Sequence, residues 1–212
     1  MFLYVKDKSV ISELKSICED IIKSVQKSAL KDFFTFQFNL IGSGSTNLIT
    51  QNGDNGEYDL DYNFILQKDK KNLFSKPEKI KNLFIQAFNE ENPKLGFKCA
   101  ENSTSVITSK LVYDNKLFFS FDVAILCEGY NGNYLKIKYS KSGGQYYWNE
   151  IKSSRNYQQK IKELKKIGAW NETRELYLHK KNMHLKRHED ISSFSVLLEA
   201  LNELCQKYRV QL

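Results

Sequence analysis

The chain has 212 residues, 41% hydrophobic and 13% aromatic, which supplies a buried core for one good-sized domain, or for one domain with a helical appendage. Its net charge of +7 invites a polyanionic partner, yet of 32 basic residues only Arg155, Arg174, Arg187 and Arg209 are arginines, and a lysine excess reads first as a solvated surface. Cys18, Cys99, Cys127 and Cys205 form no C-x-x-C pair, which excludes the usual zinc and redox motifs and leaves buried free thiols as the expectation.

The first residues, Met1 to Asp7, lack the basic region and apolar run of a signal peptide. No stretch approaches the roughly 18 apolar residues of a membrane span, so a cytoplasmic protein is expected. Ser9 is the expected N-cap of a helix from Val10 to Leu30, because Val10, Leu14, Ile17, Cys18, Ile21, Ile22 and Val25 recur at helical spacing. Phe33 to Ile41 has the aromatic content of a strand and runs into the Gly/Ser turn Gly42-Ser43-Gly44-Ser45. Asn52-Gly53 and Asn55-Gly56 mark an exposed excursion before a strand from Tyr58 to Leu66.

Lys76-Pro77-Glu78 opens a second helix with the stripe Ile80, Leu83, Phe84 and Phe88, ending near Asn92-Pro93. Ser105 to Tyr113 and Leu117 to Leu126 read as a hairpin, followed by a turn at Tyr130 to Asn133 and a strand from Tyr134 to Tyr139. From about Ser154 the pattern is helical: Tyr157 to Ile167, Glu172 to Lys181 and Ser192 to Tyr208. The expected fold is α+β, a mixed sheet flanked by helices over residues 1–150, with a C-terminal helical portion over 151–212.

Side chains on a strand alternate with period two, so Asp59 and Asp61 project from one face with their oxygens close together. Adjacent anions require a counterion, and hard carboxylate oxygens suit Mg²⁺. Asp122 is a lone carboxylate within the apolar run Phe119 to Ile125, where burial is costly without a cation or hydrogen-bond donors. Beside the Asp59 strand it would complete a triad able to hold two Mg²⁺ ions roughly 3.5–4 Å apart. Gly42, Ser43, Gly44 and Ser45 offer backbone N–H groups without Cβ hindrance, and hydroxyls, to a phosphate. A short helix over Thr46 to Thr50 would add its dipole.

This arrangement resembles the polymerase-β-like nucleotidyltransferase superfamily, whose signature is Gly-Ser, a spacer of roughly nine to thirteen residues, Asp-hydrophobic-Asp and a third Asp on a later strand. The resemblance covers Phe33 to Ile125. It implies Gly42-Ser43 or Gly44-Ser45 as the triphosphate-binding pair and Asp59, Asp61 and Asp122 as metal ligands for two Mg²⁺ or Mn²⁺ ions. It also implies transfer of a nucleoside monophosphate from an NTP such as ATP to a hydroxyl acceptor. That acceptor is left open among an RNA end, a protein, a small molecule and a second nucleotide. Residues 44–58 separate Ser43 from Asp59 and residues 46–58 separate Ser45 from it, the second spacer fitting the pattern. Asn47-Leu48 stands where a second glycine is more usual.

Other signals are weaker. Lys160, Lys162, Lys165 and Lys166 form a basic patch, and Arg174 and Lys180 lie near Trp170 and Tyr177; such a helix face is ordinarily solvated. His184 and His188 have metal-gripping spacing without a third ligand and read as surface residues. Tyr146, Tyr147 and Trp148 can stack a base or be buried. Two rival functions follow: a non-catalytic nucleotide-binding relative acting as a sensor or antitoxin-like partner protein, and a lysine-based nucleic-acid module.

Overall fold

A computed structural model of the chain describes residues 1–54, 56–130, 132–151, 156–189 and 191–210. The expectations that involve Asn55, Asn131 and a helix start near Ser154 fall outside them. In chain order the elements are β1 (Phe2–Tyr4), α1 (Lys8–Lys27), β2 (Phe34–Ile41), α2 (Gly42–Thr46), β3 (Thr50–Asn52), β4 (Tyr58–Asp69), α3 (Pro77–Glu91) and β5 (Glu101–Asn102). They continue with β6 (Ile107–Tyr113), β7 (Lys116–Glu128), β8 (Tyr134–Ser140), β9 (Gln145–Glu150), α4 (Tyr157–Lys166), α5 (Trp170–Lys186) and α6 (Ser193–Lys207). The chain divides into two compact units, Lys6–Asn47 with Glu57–Lys152, and Met1–Val5 with Leu48–Gly56 and Ser153–Leu212.

The larger unit is built on a seven-stranded mixed sheet in the order β2-β4-β7-β6-β5, with β8 paired to the end of β7 and β9 paired to β8. Strands β4 and β7 run parallel, which requires a crossover, and α3 lies within it. The remaining pairs are antiparallel. One face of the sheet is aromatic: Phe34, Tyr62, Phe64, Phe119 and Phe121 are all 2% exposed or less. Phe36 stacks on Phe64 at 4.7 Å between ring centroids, and α3 lays Phe84 and Phe88 against them at 5.2 Å and 6.0 Å. Truncating one such ring, for example Phe64→Ala, would cost about 3–5 kcal/mol.

Period-two alternation sends the intervening residues to the opposite face, which is polar. There Asn39 faces Asn63, Asp61 faces Asp122, and Asp122 faces Thr108 across successive strands.

Several local expectations shift. The first helix begins at Lys8, two residues before Val10, because Asp7 rather than Ser9 is the cap: its carboxylate accepts from the backbone N–H of Ser9 at 2.9 Å and of Val10 at 3.1 Å. It ends at Lys27, after which Ser28 caps a short 3₁₀ turn over Ala29–Asp32. The aromatic cluster Tyr146-Tyr147-Trp148 lies on a strand, β9, that the sequence pattern does not mark as one. Cys99 is exposed, unlike Cys18, Cys127 and Cys205, and all four thiols are free.

The smaller unit pairs β1 with β3 in a two-stranded antiparallel sheet, and the side-chain amide of Asn182 on α5 bonds both backbone groups of Phe2. Its helices α4, α5 and α6 share a core of Ile161, Leu164, Tyr177, Val196, Leu201 and Leu204. Among the described residues no helix is long and apolar enough to cross a membrane.

Candidate active site

Asp59, Asp61 and Asp122 converge on the polar face of the larger sheet. One oxygen from each lies within 4.8 Å of the others. Strand alternation brings Asp59 and Asp61 to one face, and the parallel register sets Asp122 directly beside Asp61. Asp59 is exposed, whereas Asp61 and Asp122 are half-buried.

Burial, then the charges of Asp59 and Asp122, push the Asp61 carboxyl up from 3.8 to about 7, with Lys136 on β8 acting in the opposite direction. Asp122 is also raised, chiefly by burial and further by Asp59, against a hydrogen bond from Thr108 and the charge of Lys110. The cluster therefore carries more negative charge than its surroundings neutralise. Three clustered hard oxygen donors with that deficit fit a divalent cation such as Mg²⁺.

The Gly/Ser turn is helical, forming α2. The short helix expected over Thr46 to Thr50 lies earlier in the chain: Asn47 ends it in a left-handed conformation (φ 57°, ψ 40°), and Thr50 already belongs to β3. Asn is the non-glycine residue best suited to that conformation, so Asn47 serves where a glycine would.

The two glycines face different surroundings. Gly42 has φ +61°, and a Cβ there would stand 2.7 Å from Asp61 Oδ2. A Cβ on Gly44 would instead strike Leu60 Cδ2 at 2.7 Å and Leu40 Cδ1 at 3.0 Å, which belong to the core side. Ser45 is exposed, and its hydroxyl donates to the Gly42 carbonyl at 2.9 Å; Ser43 is half-buried. Lys15 on α1 donates to the Gly44 carbonyl at 2.8 Å. Sequence reasoning singled out neither Lys15, Thr108 nor Lys136, since each reaches the site through pairings distant in the chain.

The weaker candidates find other uses. On β9, Tyr146 packs on Tyr139 at 5.0 Å and Trp148 donates its indole N–H to the Phe74 carbonyl at 2.6 Å, while Tyr147 remains partly exposed. In the smaller unit Lys160 bonds Asn202, Lys165 lies over Trp170 and Arg174 over Tyr4, and Lys180 pairs with Glu203 at 2.8 Å. His184 is buried rather than on the surface: Nδ1 meets Glu189 at 2.5 Å and Nε2 meets Glu199 at 3.1 Å.

No family model matches the chain, and no curated protein matches it in sequence. Solved structures match it in fold. A mutant of the Vibrio cholerae di-nucleotide cyclase DncV is 14% identical, with 93% of this chain and 68% of that one covered at a TM-score of 0.63. A STING-associated CdnE c-di-GMP synthase from Capnocytophaga granulosa is 16% identical, with 97% and 63% covered at 0.61. The GTP-bound form of Vibrio cholerae DncV is 16% identical, with 88% and 51% covered at 0.57. The chain thus spans about half to two thirds of the length of these proteins. With a mixed sheet flanked by helices and a C-terminal helical portion, the chain has the polymerase-β-like nucleotidyltransferase fold.

Proposed function

We propose that this protein is a metal-dependent nucleotidyltransferase that moves a nucleoside monophosphate from an NTP to a hydroxyl acceptor. The observation that carries the reading is the convergence of Asp59, Asp61 and Asp122 within 4.8 Å on the polar face of a nucleotidyltransferase fold. These three carboxylates would hold Mg²⁺ or Mn²⁺, up to two ions. The metal supplies Lewis-acid stabilisation of phosphate charge and lowers the pKa of the attacking hydroxyl. Gly42-Ser43 is the better candidate of the two Gly-Ser pairs for phosphate, because Gly42 borders Asp61 while Gly44 faces Leu60 and Leu40.

In the reaction the acceptor oxygen bonds to the α-phosphorus as the bond to the bridging oxygen breaks. Pyrophosphate leaves, and the acceptor proton is released. The solved proteins of this fold are described as a di-nucleotide cyclase and a c-di-GMP synthase, which supports a second nucleotide as the acceptor. The test incubates labelled NTPs and Mg²⁺ or Mn²⁺ with the protein and with an Asp59→Asn, Asp61→Asn double variant. Pyrophosphate release and a labelled product are expected from the unaltered chain alone. Equal behaviour of the two proteins in binding and transfer overturns the proposal.

A further inference from the structure

We infer that Thr108 is a positioning residue for the triad, holding the Asp122 carboxylate in the orientation that receives a divalent cation; this rests on the metal-site reading above. Thr108 lies directly across from Asp122 on the antiparallel pair β6 and β7, and its Oγ1 donates to Asp122 Oδ1 at 2.6 Å. Threonine is stiff about χ1, so a hydroxyl on a strand presents a well-defined donor. Occupying one Asp122 oxygen restricts rotation of the carboxylate, which otherwise turns freely about its terminal torsion.

The pairing depends on a bulge. Near the hairpin turn Tyr113 faces Lys116 and Val112 faces Leu117, a register that continued unbroken would put Ile107 opposite Asp122. A shift between Leu111 and Val112 leaves Phe118 unpaired and moves the register by one residue. It delivers Thr108 to Asp122 and Ile107, fully buried, to the core face. The nearest cation on the same strand face is held elsewhere: Lys110 pairs with Glu101 at 2.6 Å. Thr108 is therefore the β6 side chain that contacts the carboxylate.

Loss of such an outer partner costs about 10–100-fold in metal affinity. The experiment titrates the full chain with Mn²⁺, without nucleotide, following free Mn²⁺ by electron paramagnetic resonance. Thr108→Val is expected to weaken binding by about 10–100-fold, and Thr108→Ser, which keeps the hydroxyl, to bind near the unaltered level. In an Asp122→Ala background, which has no oxygen to accept from Thr108, Thr108→Val should produce no further loss. Thr108→Val binding Mn²⁺ like the unaltered chain, while Asp61→Asn loses it, overturns the role of Thr108 and leaves the metal site standing. Equal binding by the unaltered chain and Asp61→Asn removes the metal site and the role together. Should Thr108→Val fail to fold in thermal melts, Thr108→Ala carries the same comparison.

Discussion

Asp61 and Asp122 stand directly side by side on the parallel strands β4 and β7, joining two carboxylates that are remote in the chain. Burial, then the charges of Asp59 and Asp122, push the Asp61 carboxyl up from 3.8 to about 7. A raised carboxyl pKa means that the folded state binds its proton more tightly than the unfolded chain does. The stability this group contributes is therefore lost as pH rises from about 4 to about 7. Asp61→Asn should remove that decline, leaving the metal-free variant more stable than the unaltered chain above pH 7 by at most about 4 kcal/mol. Urea unfolding in EDTA across pH 4 to 8 checks it; an identical pH slope in the two proteins contradicts the assignment.

Substitutions at the two glycines should separate site from core. Gly42→Ala adds left-handed strain of about 1–3 kcal/mol and pushes a methyl group against the Asp61 carboxylate, so Mn²⁺ binding and nucleotide transfer should both fall. Gly44→Ala meets Leu60 and Leu40 and should cost about 1–3 kcal/mol of stability by overpacking. It should leave metal affinity close to normal. Paired denaturation and Mn²⁺ titrations measure both.

His184 is gripped on both ring nitrogens, by Glu189 and Glu199, which requires the doubly protonated ring to donate twice. These bonds raise its pKa above the usual histidine value. The stabilisation is complete below the unfolded pKa of about 6.5 and is lost as pH rises through the folded value. NMR titration of the His184 ring should show the raised pKa, and His184→Gln should flatten the alkaline loss of stability in the smaller unit.

The Tyr62 hydroxyl is buried and has no hydrogen-bond partner among the described residues, although its ring is edge-on to Phe121 at 6.2 Å. Tyr62→Phe keeps the packing and removes the orphaned group. It should be neutral or stabilising by about 1 kcal/mol in denaturant unfolding.

Much of the larger unit was readable because its signals are local. Alternation in Phe33 to Ile41 and Tyr58 to Leu66 matches β2 and β4, and Lys76-Pro77 marks the start of α3. The D-x-D spacing alone places Asp59 and Asp61 on one face, and the apolar run around Asp122 marked it as a carboxylate in need of partners. Less local features were not readable. Strand β1 is three residues long and pairs with β3, roughly fifty positions away, with no alternation to announce either. His184 reads as a surface residue because spacing alone announces neither the chain reversal that returns Glu189, five positions on, to its Nδ1 nor the packing of α6 that brings Glu199 to its Nε2.

The hairpin before Asp122 shows where the boundary lies. Sequence alone determined the side chains of the candidate site: three acidic residues, a Gly/Ser turn ahead of them, and strands whose period of two presents the first pair together. Which residue touches the third carboxylate depends on the turn and bulge actually adopted: Tyr113 pairs with Lys116, and counting back from that pair alone reaches Ile107. A single unpaired residue, Phe118, reverses the face of everything beyond it in β6 and brings Thr108 to Asp122 instead. Likewise only the fold distinguishes Gly42, beside Asp61, from Gly44, against Leu60. Side-chain type and spacing are written locally, whereas register, bulges and close approaches are settled by how distant strands pack.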